Sequence, residues 1–192
     1  MQRKLVLFCG PRGAGKGTLV SAMAAKFPEL KRLVPHTTRV RRSNEVEGKD
    51  YHFVSSVEFD RMLQDGELVA WVSISDVQRS GATRSELLRF ENCVGDVVPH
   101  IAKEVARFIS MHDGETLVIP VLAPLDLRRK RVRDRQKDLR EADIERLLAE
   151  DPVSANVEDY RDYGLVIHND KQGSLVDALA AAEGAVRAFL RG

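Results

Sequence analysis

The sequence predicts an α/β fold, a parallel-sheet core flanked by helices with an inserted lobe and a small lid. Three observations point there. The apolar runs "KLVLFC" and "ETLVIPVLA" are nearly continuous rather than alternating, as strands buried on both faces require. Helical patterns alternate with such runs along the chain. From residue 32 to about 91 the rhythm breaks into shorter strands, which reads as an insertion. The 192 residues fit one domain with a well-buried core. The expected divisions are a core of residues 1–31 and 92–192, a lobe of 32–91 and a lid at about 135–143.

In order, "KLVLFC" is the first buried strand, and "KGTLVSAMAAKF" a helix that ends near Pro28. "YHFVS" is a short strand. "SVEFDRMLQDG" is a helix with Ser55 and Glu58 in capping-box spacing and Gly66 as its stop. "ELVAWVSI" is β-rich, and "TRSELLRFEN" opens a helix with Thr83 as N-cap. "GDVVPHI" is a strand weakened by Pro99, followed by the helix "AKEVARFISMH". "ETLVIPVLA" is a strong strand. "LDLRRKRVRDRQ" and "EADIERLLAEDPVSANVEDY" are helices, and "GLVIHND" is the last strand. "SLVDALAAAEGAVRAFL" closes the fold as an amphipathic helix, with Leu175, Leu179, Ala182, Val186 and Leu190 on one face.

A net charge of +1 gives no overall field for a polyanion, so no nucleic-acid partner is expected. The basic runs "TTRVRR" and "LRRKRVRDRQK" read first as solvated faces. Two cysteines, Cys9 and Cys93, lie at no ligand-like spacing. The amino-terminal apolar run is too short for a signal peptide, and no run approaches the ~20 apolar residues of a membrane span. The expectation is a cytoplasmic protein with no membrane partner, monomeric or homodimeric.

The stretch "GPRGAGKGT" follows the first strand and opens the first helix. Glycines there let successive N–H groups turn toward a phosphate chain, while the lysine and the helix N-terminus favour its charge. Gly10, Arg12, Gly13, Ala14, Gly15, Lys16, Gly17 and Thr18 thus read as an ATP-binding P-loop, with Thr18 as a Mg²⁺ ligand. Gly17 stands where the strict pattern has Ser or Thr. The core is accordingly of P-loop NTPase type.

Downstream, "HTTRVRRSNEVEGKDYHFVSSVEFDRMLQDGELVAW", "VLAPLDLRRKRVRDR", "IERLLAE" and "YGLVIHND" stand in the order in which the guanylate kinases carry their motifs. The chain resembles that family over nearly its whole length. The resemblance implies phosphoryl transfer from ATP to a small phosphate-bearing acceptor. It gives Arg39, Arg42 and Tyr51 the acceptor's phosphate, and Ser80 and Thr83 further acceptor contacts. Arg131 and Arg135 become lid arginines at the transferring group, and Asn169 a neighbour of the donor adenine. Lys16, Arg39, Arg131 and Arg135 are the implied catalytic set, since such catalysis is positioning and charge stabilisation.

The departures from the family pattern gather at the base-reading positions. Ala70 stands where the resemblance places a guanine-binding Glu. Ser80 and Ala82 stand for a Tyr and a Ser, His36 for a small hydroxyl residue, Ala102 for an Asp, and Leu147 for an Arg beside Arg146. A site built to hydrogen-bond its substrate loses most discrimination when the partner group goes. The expected acceptor is therefore a nucleoside monophosphate or related small phosphate with altered guanine recognition. The alternatives are an ordinary guanylate kinase with compensated contacts, or a non-catalytic binding module. The intact loop speaks against the module.

Overall fold

A computed structural model describes residues 3–43, 45–73, 78–97, 112, 114–135, 140–149, 163–170 and 175–192. Along the chain come β1 (Lys4–Cys9), α1 (Lys16–Lys26), β2 (Lys31–Arg32), β3 (His36–Thr37), β4 (His52–Phe53), α2 (Ser56–Gln64), β5 (Leu68–Ser73) and β6 (Arg79–Thr83). They are followed by α3 (Arg84–Leu88), β7 (Asn92–Val97), β8 (Glu115–Leu122), α4 (Leu125–Arg135), α5 (Glu141–Ala149), β9 (Ile167–His168) and α6 (Leu175–Arg191).

The core sheet runs β2-β7-β1-β8-β9 with every neighbour parallel. β1 lies in its middle, which is why its apolar run is continuous. Val6 and Phe8 join Leu19, Val20 and Met23 of α1 and Ala178, Ala182 and Val186 of α6 in one cluster. Leu5, Leu7 and Cys9 join a second cluster with Val69, Ala70, Ala82, Leu87 and Cys93. Because side chains alternate along a strand, the two sets lie on opposite faces. The inserted segment thus helps cover one face of the sheet that carries the loop.

The lobe's own sheet runs β4-β3-β6-β5, with β3 and β4 parallel and the other pairs antiparallel. Ser55 caps α2, its Oγ accepting from Glu58 N at 3.1 Å. The expected box is half made: the Glu58 carboxylate turns to Arg61 instead. Thr83 caps α3, its Oγ1 accepting from Glu86 N at 3.2 Å.

Several boundaries differ from expectation. β7 begins at Asn92, three residues before the expected strand, because the run "NCVGDV" pairs with β1 from Lys4 onward. β4 and β9 are only two residues each. On α6, Leu175 is 44% exposed, so the buried face is Ala178, Ala182 and Val186 with Leu179 and Leu190 beside it. The basic run of α4 is only in part a solvated face: Lys130, Arg133 and Arg135 are exposed. Arg129 and Arg133 pair with Glu145 and Glu141 of α5, and Arg128 is buried. The expected helix at 102–112 except its last residue, most of the helical stretch after 149 and the middle of the lid, 136–139, lie outside the described residues, as does Ala102.

Candidate active site

β1 ends at Cys9 and α1 begins at Lys16, leaving residues 10–15 to turn the chain from sheet to helix. Gly10, Gly13 and Gly15 have φ of +136°, +79° and +103°. These left-handed conformations favour glycine. Space demands it too: a Cβ on Gly10 would run into the Val121 carbonyl, and one on Gly15 into the Asn169 amide.

Each carbonyl from Gly10 to Ala14 accepts a hydrogen bond. Lys16 Nζ donates to Gly10 O at 2.8 Å and Pro11 O at 3.1 Å. Arg128 Nε donates to Arg12 O at 2.8 Å. Arg131 Nη1 donates to Gly13 O at 3.1 Å and Ala14 O at 3.2 Å, and Asn169 Nδ2 to Ala14 O at 2.8 Å. Arg131 Nη2 also donates to Asn169 Oδ1 at 3.0 Å. A loop whose carbonyls are fixed from behind presents its N–H side to an anion without reorganising. Lys16 itself is 5% exposed.

In front of the loop lies a cavity of about 500 Å³. Arg12, Gly13, Gly15, Lys16, Gly17 and Thr18 border it on the donor side. Arg39, Arg42, Tyr51 and Ser80 border it on the lobe side, and Arg135 closes in from the end of α4. The cavity therefore brings together most of the residues picked out in the sequence. Arg131 and Asn169 do not border it. They lie within bonding distance of the loop carbonyls, where the sequence reading had placed Arg131 on the transferring group. Thr83 does not border it either, because its buried hydroxyl is spent on the α3 cap and Ser85.

The lobe side is held by a residue the sequence reading passed over. Glu45 takes Arg39 in a fork, with Nη1 to Oε2 at 2.7 Å and Nη2 to Oε1 at 2.5 Å, and also accepts from Arg42 N at 3.0 Å. The Arg39 guanidinium sits 4.9 Å from the Tyr51 ring centroid, a cation–π contact. Burial raises the Glu45 carboxyl, but hydrogen bonds from Arg39 and the Arg42 amide bring it below its ordinary value. Burial, and then Arg39, makes the Arg42 charge costly, and its Nε is buried with no hydrogen-bond partner among the described residues. An acidic ligand would relieve both.

A second residue passed over is Asp96, at the C-terminal end of β7 and level with Phe8 of β1. It borders the cavity, and after burial its charge is the largest influence raising the Tyr51 phenol. A carboxylate closing the strand beside the P-loop strand is a place from which Mg²⁺ is held. The signal was in the sequence, but starting that strand at Gly95 put Asp96 at its beginning rather than its C-terminal end. Ala70 and Ala82 are direct cross-strand partners, both buried in the apolar cluster under the lobe. His36 points to the other face of its strand from Thr37, its ring 4.7 Å from that of His52.

The guanylate kinase family model matches residues 2–182. The chain belongs to the guanylate kinase family. The guanylate kinase of Rhodococcus jostii (strain RHA1) is 32% identical over 180 residues, covering 93% of this chain and 86% of that protein. The guanylate kinase of Thermosynechococcus vestitus is 34% identical over 176 residues, 90% of each. A crystal structure of guanylate kinase from Anaplasma phagocytophilum has the same fold, with a TM-score of 0.64 at 20% identity over 97% of this chain and 86% of that one.

Membership makes the chain a phosphotransferase of the nucleoside monophosphate kinase type, with ATP and Mg²⁺ as the donor complex. The residues fit that complex. Among the described residues no group of three or more His, Cys, Asp or Glu could hold a metal alone. Mg²⁺ needs less, since it combines one or two protein oxygens with phosphate oxygens and water. Thr18 and Asp96 supply a hydroxyl and a carboxylate at the same cavity. No described helix is long and apolar enough to cross a membrane.

Proposed function

We propose that the chain transfers the ATP γ-phosphoryl group to an acceptor that itself carries a phosphate, held by Arg39, Arg42 and Tyr51, and that it does not read guanine through a carboxylate at position 70. The observation that carries this reading is that the P-loop and the Arg39–Arg42–Tyr51 cradle border one cavity. Two phosphates bound at its two sides would face each other, the arrangement in-line transfer needs.

The roles follow from the contacts. The loop N–H groups and Lys16 bind the donor's phosphates, and Thr18 with Asp96 would hold Mg²⁺, which supplies charge neutralisation across the phosphates. Arg39, set by Glu45, and Arg42 clamp the acceptor's phosphate. Arg135 offers its guanidinium to the charge that develops during transfer, where one arginine is worth on the order of 10³ to 10⁵ in rate. Arg131 and Asn169 fix the loop carbonyls from behind, and Asn169 is the residue expected beside the donor adenine.

At the base end, the carboxylate expected at position 70 is absent: Ala70 and Ala82 pair across the strands, buried in the apolar cluster and outside the lining of the cavity, so neither offers guanine N1 or N2 an acceptor. Each donor left without a partner costs about 1 to 3 kcal/mol. A second reading is GMP held by other groups. The named guanylate kinases above favour it, as do Gln78 and Ser80 at the cavity. Steady-state kcat/KM for GMP, AMP, the pyrimidine monophosphates and ribose phosphates decides between them. Comparable values for GMP and AMP uphold the first reading, and a thousandfold preference for GMP establishes the second. Equal turnover of acceptors with and without a phosphate would remove the cradle assignment.

A further inference from the structure

We propose that Arg32 is a positioning residue for the acceptor site, acting through Asp50, so that one ion pair sets the spacing between the P-loop helix and the acceptor cradle. The proposal rests on the reading of that cradle given above. Arg32 lies on β2, the edge strand of the core sheet. Its Nη1 donates to Ser21 Oγ of α1 at 3.0 Å and lies 3.4 Å from Asp50 Oδ1 in the lobe. Both charged side chains are largely covered, at 22% and 25% exposure, and both border the cavity.

Each end of this tie leads directly to one half of the site. Ser21 stands three residues after Thr18 on α1, on the same helix face, and both border the cavity. Asp50 uses its other oxygen, Oδ2, to accept from Val46 N at 2.9 Å, while its own N–H donates to Val46 O at 3.0 Å. That turn is flanked by Glu45, which grips Arg39 and Arg42, and by Tyr51. Gly48, with φ of +71°, lets it close. Arg32 therefore joins the donor helix to the turn that shapes the acceptor cradle, without being needed as a phosphate ligand. Displacing a bound reactant by about 1 Å can cost a hundredfold in rate, so a tie of this kind bears on transfer itself.

The test uses Arg32→Gln, Asp50→Asn and the double variant of the full chain. Amide hydrogen exchange of residues 45–51 reads the tie with no nucleotide present. It is expected to quicken about tenfold in Arg32→Gln, with residues 4–9 unchanged. With GMP or AMP, whichever the wild type phosphorylates, the acceptor KM is expected to rise about tenfold in each single variant, ATP KM to stay, and the double variant to match the worse single. Unchanged exchange in Arg32→Gln overturns the proposal. So do effects that multiply in the double variant, or a rise in acceptor KM for Arg32→Gln alone, which would make Arg32 a direct ligand. A wild type that phosphorylates none of the nucleoside monophosphates and ribose phosphates counts against the acceptor reading, and the exchange result then decides on the tie.

Discussion

Arg39 and Glu45 meet fork to fork, Nη1 2.7 Å from Oε2 and Nη2 2.5 Å from Oε1, beside the cavity that faces the P-loop. A bidentate pair fixes the plane of a guanidinium as well as its place. Glu45 is thus what turns a flexible arginine into an oriented one. Replacing Glu45 with Gln keeps the size and removes the charge that holds both Arg39 and Arg42. The expected result is a fall in kcat of about ten- to a hundredfold, with ATP affinity by calorimetry unchanged. A variant with wild-type kcat would show that the fork is dispensable.

Lys16 is buried with its ammonium donating to the Gly10 and Pro11 carbonyls, so the cost of taking its charge out of water is met in part by those bonds and further by a bound phosphate chain. Lys16→Ala is expected to lose ATP binding and phosphoryl transfer while its melting temperature without ligand stays level or rises. Unchanged ATP affinity in the folded variant would remove the lysine from the donor site.

Asn169 gives the opposite pattern. It is 2% exposed and joins Ala14 O to Arg131. Asn169→Ala leaves Arg131 as the only side chain on that carbonyl among the contacts described, and an under-satisfied buried group costs about 1 to 3 kcal/mol. Thermal unfolding should record that loss, and ATP KM should rise with acceptor KM unchanged. A variant as stable as the wild type would mean that the loop does not depend on this bond.

Ala70→Glu places a carboxylate among Leu5, Leu7, Leu33 and Leu87. The expected cost is about 2 kcal/mol or more in the free protein. GMP, whose N1 and N2 hydrogens can pair with that carboxylate, should restore part of the stability, and AMP should not. Selectivity for GMP over AMP should rise on the order of a hundredfold. If neither changes, position 70 does not face the base.

His36 is held neutral by burial and then by His52, and its imidazole is pushed down from 6.5 to about 4. The unfolded chain takes up this proton at the ordinary value, the folded chain only at the lower one. Stability is therefore whole above pH 6.5 and is lost as the pH falls toward 4. Melting temperatures across that range should fall less steeply in His36→Asn than in the wild type. Parallel curves would assign the acid loss to the carboxylates alone.

Much of the site was legible because its chemistry is local. The glycines, Lys16 and Thr18 fall within nine consecutive residues, Gly10 to Thr18, and the strand and helix that bracket them announce themselves by pattern. Arg39, Arg42 and Tyr51 are nearly as compact. Glu45 was passed over because its partners lie on the loop it closes, where spacing carries no periodic signal. Asp96 was missed through a strand begun three residues late. Arg128 was hidden differently: a run of arginines on a helix looks alike whether it meets water or the back of another loop. Only packing separates Arg128, which is 4% exposed, from its neighbours.

The bonds that fix the loop carbonyls span 116 residues from Arg128, 118 from Arg131 and 155 from Asn169. This sets an order of assembly. A ribosome delivers the glycine motif first, but a nascent chain that has passed residue 18 carries the letters of the motif without its shape. The strands on both sides of β1 and then α4 must emerge before the loop can be held, and Asn169 comes later still. Nucleotide affinity therefore arises as a late event in synthesis. An amino-terminal fragment ending before α4 would contain the whole signature and bind ATP feebly.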